Sequence, residues 1–167
     1  MKLPENLAEP ETVRQALRTW TSGVTVVTSC SEGYQHGMTV SSFTSVSLVP
    51  PILMVSLQRD SRTHLVVKQS RLFGVTILSE SQQEISERFA GRTPDDEDRF
   101  HQIETFTMKT GAPFIRGGLA YLDCQVTRSL VVAGHTLFFG HVIALQVEPE
   151  GNPLLYHDRH YHFLRSD

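Results

Sequence analysis

The sequence predicts a mainly β fold, a β-barrel with peripheral helices, on three observations. Apolar and polar residues alternate in several short runs, which is the period of a half-buried strand. Three helical patterns interrupt those runs without any regular βαβ alternation. The chain of 167 residues has no internal repeat, low-complexity tract or linker, so residues 1–167 are predicted to form a single domain.

The first third of the chain predicts one helix followed by strands. A helix is predicted over 10–21, where Val13, Leu17 and Trp20 recur at helical spacing. A short strand follows at 24–28, and then a polar hairpin. The segment 36–48 alternates like a strand, although hydroxyl side chains crowd it. Two prolines then interrupt pairing before a buried strand at 52–57.

The rest of the chain predicts two more helices and several strands. Ser61 is the expected N-cap of a helix that runs to Gln69. Residues 81–84 have capping-box spacing at the start of the third helix, which Gly91 ends. The remaining segments are assigned by alternation and turn residues: strands at 72–78 and 106–108, a polar loop at 92–100, a turn at 111–118, a long hairpin of 119–132 with 135–147, and a final strand or two within 153–164.

Composition excludes several classes of function. A net charge of −3 and a pI near 6.2 give no basic surface for nucleic acid, and scattered lysines and arginines give none for an anionic membrane. Cys30 and Cys124 belong to no CxxC pair and are expected to be reduced. The N-terminus lacks the apolar region of a signal peptide, and the apolar stretch 130–145 is too short for a membrane span. The sequence therefore predicts a cytoplasmic protein.

Familiar catalytic motifs are missing from the sequence. It contains no GxGxxG after a strand, no GxxxxGK[ST], no HExxH, no GxSxG and no repeated CxxC. His157, His160 and His162 lie close together, and two of them share a strand face that could hold a metal. A polar surface strand explains the same pattern, so no metal site is predicted.

The hydroxyl-rich segment 36–48 has two interpretations from its residues alone. Serines and threonines occupy the solvent face of many antiparallel strands. Alternatively, hydroxyls and backbone amides that face a cleft can bind a planar ligand with many acceptors, and its phosphate, without charged groups.

An ordered series of motifs favours the second interpretation. It consists of SGVTVVT (22–28), HGMTVSSFTSVSLVPPILMVSL (36–57), DSRTH (60–64), FGVTIL (73–78), ERFAG (87–91), GHTLFFGHV (134–142) and GNPLLYHDRHYHFL (151–164). Over residues 10–164 the chain resembles the flavin reductase-like domain family, the short-chain NAD(P)H:flavin oxidoreductases that serve two-component monooxygenases. The resemblance implies an FMN-binding split β-barrel that forms a homodimer with flavin at the subunit interface.

The resemblance also assigns flavin-binding residues by position. Those expected along the isoalloxazine ring are Met38, Thr39, Val40, Ser41 and Ser42, with Ser56 and Leu57 on the adjacent strand. Those expected at the phosphate are Ser61, Arg62 and Thr63. That assignment also has independent physical support, because a capped helix start offers free N–H groups and the positive end of the helix dipole to an anion.

Further residues are assigned around the ring and the nicotinamide. Phe89, Ala90 and Gly91 are expected to approach the flavin from the third helix, and Tyr156 and Arg159 to close the site. His135 is expected to lie near the nicotinamide and flavin N5 as the catalytic residue. Two departures stand out: Gly134 replaces the frequent Asp before this histidine, which removes a carboxylate that would fix its tautomer. Thr76 stands where Asn is common.

The resemblance implies hydride transfer from NADH or NADPH to N5 of FMN or FAD, and delivery of the reduced flavin to a partner flavin-dependent monooxygenase. The two cofactors supply the chemistry, so the protein needs no strong acid or base. Two alternatives share the fold. One is a split-barrel enzyme with permanently bound flavin that acts on another small molecule. The other is a non-catalytic flavin-binding module.

Overall fold

The computed structural model describes residues 7–92 and 98–164, in which strands predominate. The helices are α1 (Pro10–Arg18), α2 (Arg62–Ser70) and α3 (Gln83–Glu87). A 3-10 turn (Glu80–Gln82) precedes α3, and a π-helical turn (Arg88–Arg92) follows it. The strands are β1 (Ser22–Gly23), β2 (Thr25–Ser31), β3 (Tyr34–Val40), β4 (Phe43–Leu48), β5 (Pro51–Gln58), β6 (Leu72–Ile77), β7 (Thr105–Thr107), β8 (Pro113–Ile115), β9 (Ala120–Val132), β10 (His135–Val147), β11 (Leu155–His157) and β12 (His160–His162).

Seven strands form one antiparallel sheet in the order β3-β2-β6-β9-β10-β5-β4. Its two edge strands, β3 and β4, are consecutive in the chain, and only Ser41 and Ser42 join them. The link is held to β5, because the Ser42 hydroxyl donates to the Ser56 carbonyl at 2.7 Å and the Ser56 N–H donates to the Ser42 carbonyl at 3.1 Å. The two edges of the sheet therefore meet, and the predicted mainly β, split-barrel fold is confirmed.

The barrel encloses one of two apolar cores. Val27, Val55, Leu57 and Phe73 are fully buried inside it. The second core lies between the sheet, the third helix and the C-terminal strands, and includes Val26, Leu78, Phe89 and Leu154. Burial of such side chains stabilises a fold by about 1.5–3 kcal/mol each. The second core fixes the turn after α3 against β3.

Three sequence predictions differ from the structure. The single strand expected over 36–48 is divided at Ser41–Ser42, because the chain changes partner there from β2 to β5. The capping box is formed by Ser79 and Gln82 rather than by 81–84. The expected turn at 111–118 contains β8, which pairs with β7.

Other elements agree with their predictions. The long hairpin is β9 and β10, with Ala133 in a left-handed conformation at its turn. The final pair of strands is β11 and β12. The first helix is present as predicted but is shorter, since it ends at Arg18 and not at residue 21, and none of its residues is buried. Residues 93–97 of the predicted polar loop lie outside the described residues.

Both cysteines are free, as the sequence predicted. Burial raises the pKa of the Cys124 thiol to about 12, so this thiol is protonated and unreactive at neutral pH. Burial also raises the pKa of Cys30, and the nearby Asp123 carboxylate adds to the effect. None of the helices in the described part of the chain has the length and apolar character that crossing a membrane requires.

Candidate functional site

Three adjoining cavities form one groove along β3 and the residue that follows it. The first, the α2 cavity, measures about 270 Å³ and lies between β3, the start of α2 and the turn after α3. The second, the tyrosine cavity, measures about 220 Å³ and shares Thr39 and Ala90 with the first. The third, the tryptophan cavity, measures about 340 Å³ and shares Ser41 and Tyr156 with the second. We call this continuous depression the β3 groove.

The α2 end of the groove is suited to an anion. Ser61 caps α2, since its side-chain oxygen accepts a hydrogen bond from the His64 N–H at 3.3 Å. The N–H groups of the first turn have no partner within an α-helix and carry its positive dipole end. Arg62 and Arg99 line the same cavity and add two guanidinium groups. A phosphate is the ligand that such a combination recognises.

Arg99 connects the walls of the α2 cavity. Its Nη1 donates to the Gly37 carbonyl of β3 at 3.1 Å and to the Phe89 carbonyl at 3.2 Å. The walls also pack closely, because a Cβ on Gly37 would lie 3.0 Å from the Phe89 ring. Gly91 has a φ of 85°, a conformation that glycine adopts without strain. The shape of this cavity therefore depends on two glycines and one arginine.

His36 fixes the start of α2 to β3. Its ring is buried, and its Nδ1 lies 2.8 Å from the Thr63 hydroxyl. Thr63 is fully buried, so it presents backbone rather than side chain to a ligand. Sequence reasoning did not select His36, Asp60 or Arg99, which all line the α2 cavity. The first two lie inside the ordered series of motifs, whereas Arg99 lies within the predicted polar loop 92–100 and gave no signal.

The hydroxyls of the divided strand have different roles. Thr39 donates to the Ser86 carbonyl at 2.7 Å, and Ser42 donates to Ser56, so both support the scaffold. Ser41 is exposed and lines two of the three cavities. Its side chain makes no hydrogen bond to any of the residues 7–92 and 98–164. Among the hydroxyls of the divided strand, that of Ser41 is therefore the one that lines the groove without a partner in the described residues.

Most residues predicted to bind flavin line the β3 groove. Those in the α2 cavity are Met38, Thr39, Ser61, Arg62, Thr63, Phe89, Ala90 and Gly91. Those in the other two cavities are Val40, Ser41, Tyr156 and Arg159. The Tyr156 ring is held edge-on against Tyr161 at a centroid distance of 5.2 Å, and Tyr161 reaches the Ser86 hydroxyl at 2.9 Å. The predicted roles of these residues in flavin binding stay predictions.

The remaining predicted residues, Ser56 and Leu57 on β5 and His135 on β10, line none of the three cavities of the groove. His135 pairs with Gln58, and Leu137 pairs with Ser56. Because strand side chains alternate, His135 and Ser56 share the outer face of the sheet, about 7 Å apart along the strand. Leu57 is fully buried in the barrel core, so only its backbone is available to a ligand there.

The two departures from the family pattern have clear structural settings. Gly134 belongs to the β9–β10 turn, and its carbonyl accepts a hydrogen bond from the Arg59 N–H at 3.0 Å. Thr76 is fully buried, and its hydroxyl accepts a hydrogen bond from the Ile115 N–H at 3.3 Å. Thr76 therefore holds β8 against the sheet. The presence of Thr76 in place of the common Asn therefore concerns the scaffold.

The three C-terminal histidines do not converge on one point. The rings of His157 and His162 meet edge to face at 5.8 Å, and the ring Nδ1 of His160 lies 2.8 Å from the Asp158 carbonyl. Across the ranges 7–92 and 98–164, no three His, Cys, Asp or Glu side chains are grouped to hold a metal ion.

Known proteins are similar to this chain over most of its length. The model of the family described as "Flavin reductase like domain" matches residues 17–165. The NADH-dependent flavin reductase StyB of Pseudomonas fluorescens is 40% identical over 153 residues, which are 89% of this chain and 86% of StyB.

Two solved structures are similar over nearly their whole length. The styrene monooxygenase flavin reductase SMOB of Pseudomonas putida S12 matches with a TM-score of 0.82 and 37% identity, over 93% of this chain and 99% of that one. The NADH:FAD oxidoreductase SgcE6 of Streptomyces globisporus C-1027, in complex with NAD and FAD fragments, matches with a TM-score of 0.87 and 30% identity, over 97% and 98% of the two chains.

Proposed function

The chain belongs to the flavin reductase-like domain family, and from this premise we propose that it is an NAD(P)H:flavin oxidoreductase acting on FMN or FAD. The observation that carries the proposal is the β3 groove, which joins a cationic helix start to uncharged hydroxyl and aromatic walls. A flavin nucleotide has the same division between a phosphate and a planar ring. StyB and SgcE6, named as an NADH-dependent flavin reductase and an NADH:FAD oxidoreductase, support the same reaction.

The residues of the groove bind and orient the flavin. Ser61, Arg62 and the backbone of Thr63 hold the phosphate, and Ser41 hydrogen-bonds to the ring. Bound FMN or FAD supplies the redox chemistry, accepting at N5 a hydride from C4 of NADH or NADPH. The protein brings the two rings together and excludes water, and these two effects lower the barrier without an acid or base.

His135 orients the nicotinamide and donates a hydrogen bond near the flavin. It lies on the same outer face of the sheet as Ser56, and it is exposed before ligands bind. Without an adjacent aspartate its ring is oriented by the bound substrates. A hydrogen-bond donor that points at developing negative charge is a common source of rate enhancement.

The product is handed to a flavin-dependent monooxygenase. SMOB, the styrene monooxygenase flavin reductase of Pseudomonas putida S12, supports this role. The groove also supports it, because an open site of exposed Ser41, Ala90 and Gly91 allows flavin exchange. Such a reductase works in the cytoplasm, where the free Cys30 and Cys124 remain reduced.

The protein acts as a homodimer. The support is a set of large apolar side chains left exposed in the single chain, which is unusual for a monomer. They lie on and just after α1, on and just after β4, and along β10: Val13, Leu17, Trp20, Leu48, Val49, Leu145 and Val147. Because Leu17 and Trp20 also line the tryptophan cavity, a second subunit packed on α1 completes the groove.

A single assay tests the proposed function. The purified protein is mixed with NADH or NADPH and an excess of FMN or FAD, and the nicotinamide absorbance is followed. Many turnovers of added flavin are expected. A single reduction equal to the protein concentration would instead indicate permanently bound flavin, and no oxidation with either donor would refute the proposal.

A further inference from the structure

A fourth cavity lies against another face of α2. It measures about 410 Å³ and is larger than each cavity of the β3 groove. We call it the lysine cavity. Its apolar walls include Leu65 of α2 and Val131 of the β9–β10 hairpin, and both side chains are more than half exposed. Arg59 and Lys68 bring cations to the same space.

The charges around the lysine cavity favour an anion. Two cations and one carboxylate, Asp60, line it, and within residues 7–92 and 98–164 neither Arg59 nor Lys68 takes part in a salt bridge. His64, in the cavity wall, is uncharged at neutral pH because burial lowers its pKa. Lys68 and Arg59 lower the pKa of His64 further. The positive potential of these two side chains therefore extends to the His64 ring in the wall of the lysine cavity.

The lysine cavity adjoins both places where the reaction's nucleotides are expected. Asp60 lines this cavity and the α2 cavity, so a ligand whose phosphate lies at the start of α2 can extend around that helix. Thr136 also lines the lysine cavity and directly follows His135. A dinucleotide that is bound in the α2 cavity or near His135 can therefore place its adenosine-phosphate half in the lysine cavity.

We infer that the lysine cavity binds the adenosine-phosphate half of a dinucleotide. Arg59 and Lys68 bind the phosphate, and Leu65 and Val131 enclose the adenine ring. Charged groups fix phosphates, and apolar side chains cover flat rings, in most nucleotide sites. The inference rests on the proposed function, since FAD and NADH or NADPH all contain this half.

His64 gives the cavity a rigid polar wall. Its Nε2 lies 2.9 Å from the Thr136 hydroxyl, which connects α2 to β10. The ring is 4% exposed, and its Nδ1 has no hydrogen-bond partner within the described ranges. An unpartnered buried nitrogen is costly, so the ring gains stability when a bound ligand or an accompanying water supplies that bond.

The test begins with 5′-AMP as the probe, titrated into the full chain by calorimetry or NMR. Lys68→Gln is expected to weaken AMP binding about tenfold, because it removes one charge-assisted contact. Lys109→Gln, which removes the same charge from an exposed turn outside the four cavities, should leave the affinity unchanged. Leu65→Ser should weaken the binding of both AMP and adenosine, whereas Lys68→Gln should affect AMP alone.

Two further arms identify the natural source of the adenosine-phosphate. If FAD occupies the cavity, Lys68→Gln lowers its affinity and not that of FMN, which lacks this half. If the nicotinamide nucleotide occupies it, the variant raises the KM for NADH or NADPH with FMN as acceptor. Either outcome supports the inference. An AMP affinity that is undetectable in the wild type, or equal in wild type and Lys68→Gln, overturns it.

The same experiment separates this inference from the proposed function. AMP binding that depends on Lys68, in a protein that never oxidises NADH or NADPH, would retain the lysine cavity and reject the reductase. Rapid oxidation of NADH or NADPH, with an AMP affinity that does not change in Lys68→Gln, would support the reductase function and reject the lysine cavity as a binding site.

Discussion

The two ends of the β3 groove differ in chemistry although one strand connects them. At the α2 end, Arg62, Arg99 and the capped helix start collect positive charge in a closely packed cavity. At the α1 end, Leu17, Trp20 and Tyr156 give aromatic and apolar walls. Arg14, Arg18, His157, Asp158 and Arg159 also line this end, but Arg14 and Arg18 are paired with Glu11 and no helix start among the described residues faces the cavity.

This difference gives the groove a direction. A ligand with an anionic tail and a planar ring gains from both ends only when its phosphate lies at α2 and its ring lies toward Ser41. Hydrogen bonds and helix dipoles fix the tail, whereas contact area fixes the ring. Binding and reaction should therefore respond to different residues, and three sets of variants and one titration of two flavins test that separation. A fourth set tests the stability of the scaffold beside the groove.

The largest effect is expected for the rate of flavin reduction, which depends on residues near the flavin ring. His135→Ala should slow flavin reduction about a hundredfold, because a donor near the reacting atoms is lost, while flavin affinity stays within about twofold. Stopped-flow reduction under anaerobic conditions measures the rate. The control is His141→Ala, which changes another histidine of β10. Equal reduction rates in wild type and His135→Ala would contradict the role.

The next effect concerns the α1 end. Trp20→Ser removes a side chain that is 77% exposed in the single chain and that is proposed to be covered by a second subunit. A buried Trp at an interface centre contributes about 2 kcal/mol or more, so the dimer dissociation constant should rise about thirtyfold. Sedimentation velocity over a concentration series measures it.

Trp20→Ser has a matched control in Tyr34→Ser. Tyr34 is an aromatic residue that is 51% exposed on β3 and lies outside the proposed interface. A wild-type protein that sediments as a monomer at all concentrations would reject both the dimer and the completed groove.

A smaller effect is expected at the α2 end. Gly91→Val forces a β-branched residue into a φ of 85°, which costs roughly 1–2 kcal/mol, and the strain should distort the wall at which the flavin phosphate is proposed to bind. Flavin affinity should fall about tenfold, and the reduction rate of the saturated complex should change little. Gly23→Val is the control, because a Cβ at Gly23 meets nothing within 4 Å. Equal losses of flavin affinity in Gly91→Val and Gly23→Val would argue against a specific role for this wall of the α2 cavity.

The smallest effect is a pH dependence of stability. The buried His64 has a lowered pKa, so the unfolded chain takes up a proton that the folded chain does not. The stability is therefore complete above about pH 6.5 and decreases as the pH falls below that value. Between pH 7.5 and 5.5 the free energy of unfolding should therefore fall because of this group.

Urea denaturation at the two pH values measures the His64 contribution. His64→Gln should reduce the difference, while the same change at the exposed His101 should preserve it. If the free energy of unfolding falls as much between the two pH values in His64→Gln as in the wild type, groups other than His64 cause the loss of stability.

Local patterns predicted the elements whose contacts are local. The β9–β10 hairpin follows from two long alternating runs around Ala133-Gly134, and the α2 cap follows from Ser61 at the right distance from the helix. The motif resemblance predicted eight of the eleven residues that line the α2 cavity, because those motifs coincide with β3, the start of α2 and the turn after α3.

Long-range contacts explain what the sequence did not reveal. The break at Ser41–Ser42 depends on hydrogen bonds to Ser56, fourteen residues away, and no alternation pattern contains that pairing. Arg99 reaches Gly37 across sixty-two residues of chain. Scaffold hydroxyls such as that of Thr39 and the exposed hydroxyl of Ser41 also look alike in sequence, since only packing separates them.

The central claim is that the start of α2 holds the flavin phosphate, and a paired titration of FMN and riboflavin tests it most directly. Riboflavin has the same ring without the phosphate. The wild type should bind FMN at least tenfold more tightly, and Arg62→Gln should weaken FMN about tenfold while leaving riboflavin unchanged, with Arg128→Gln on β9 as control. Equal affinities for the two flavins in the wild type, or equal weakening of both in Arg62→Gln, would contradict the account.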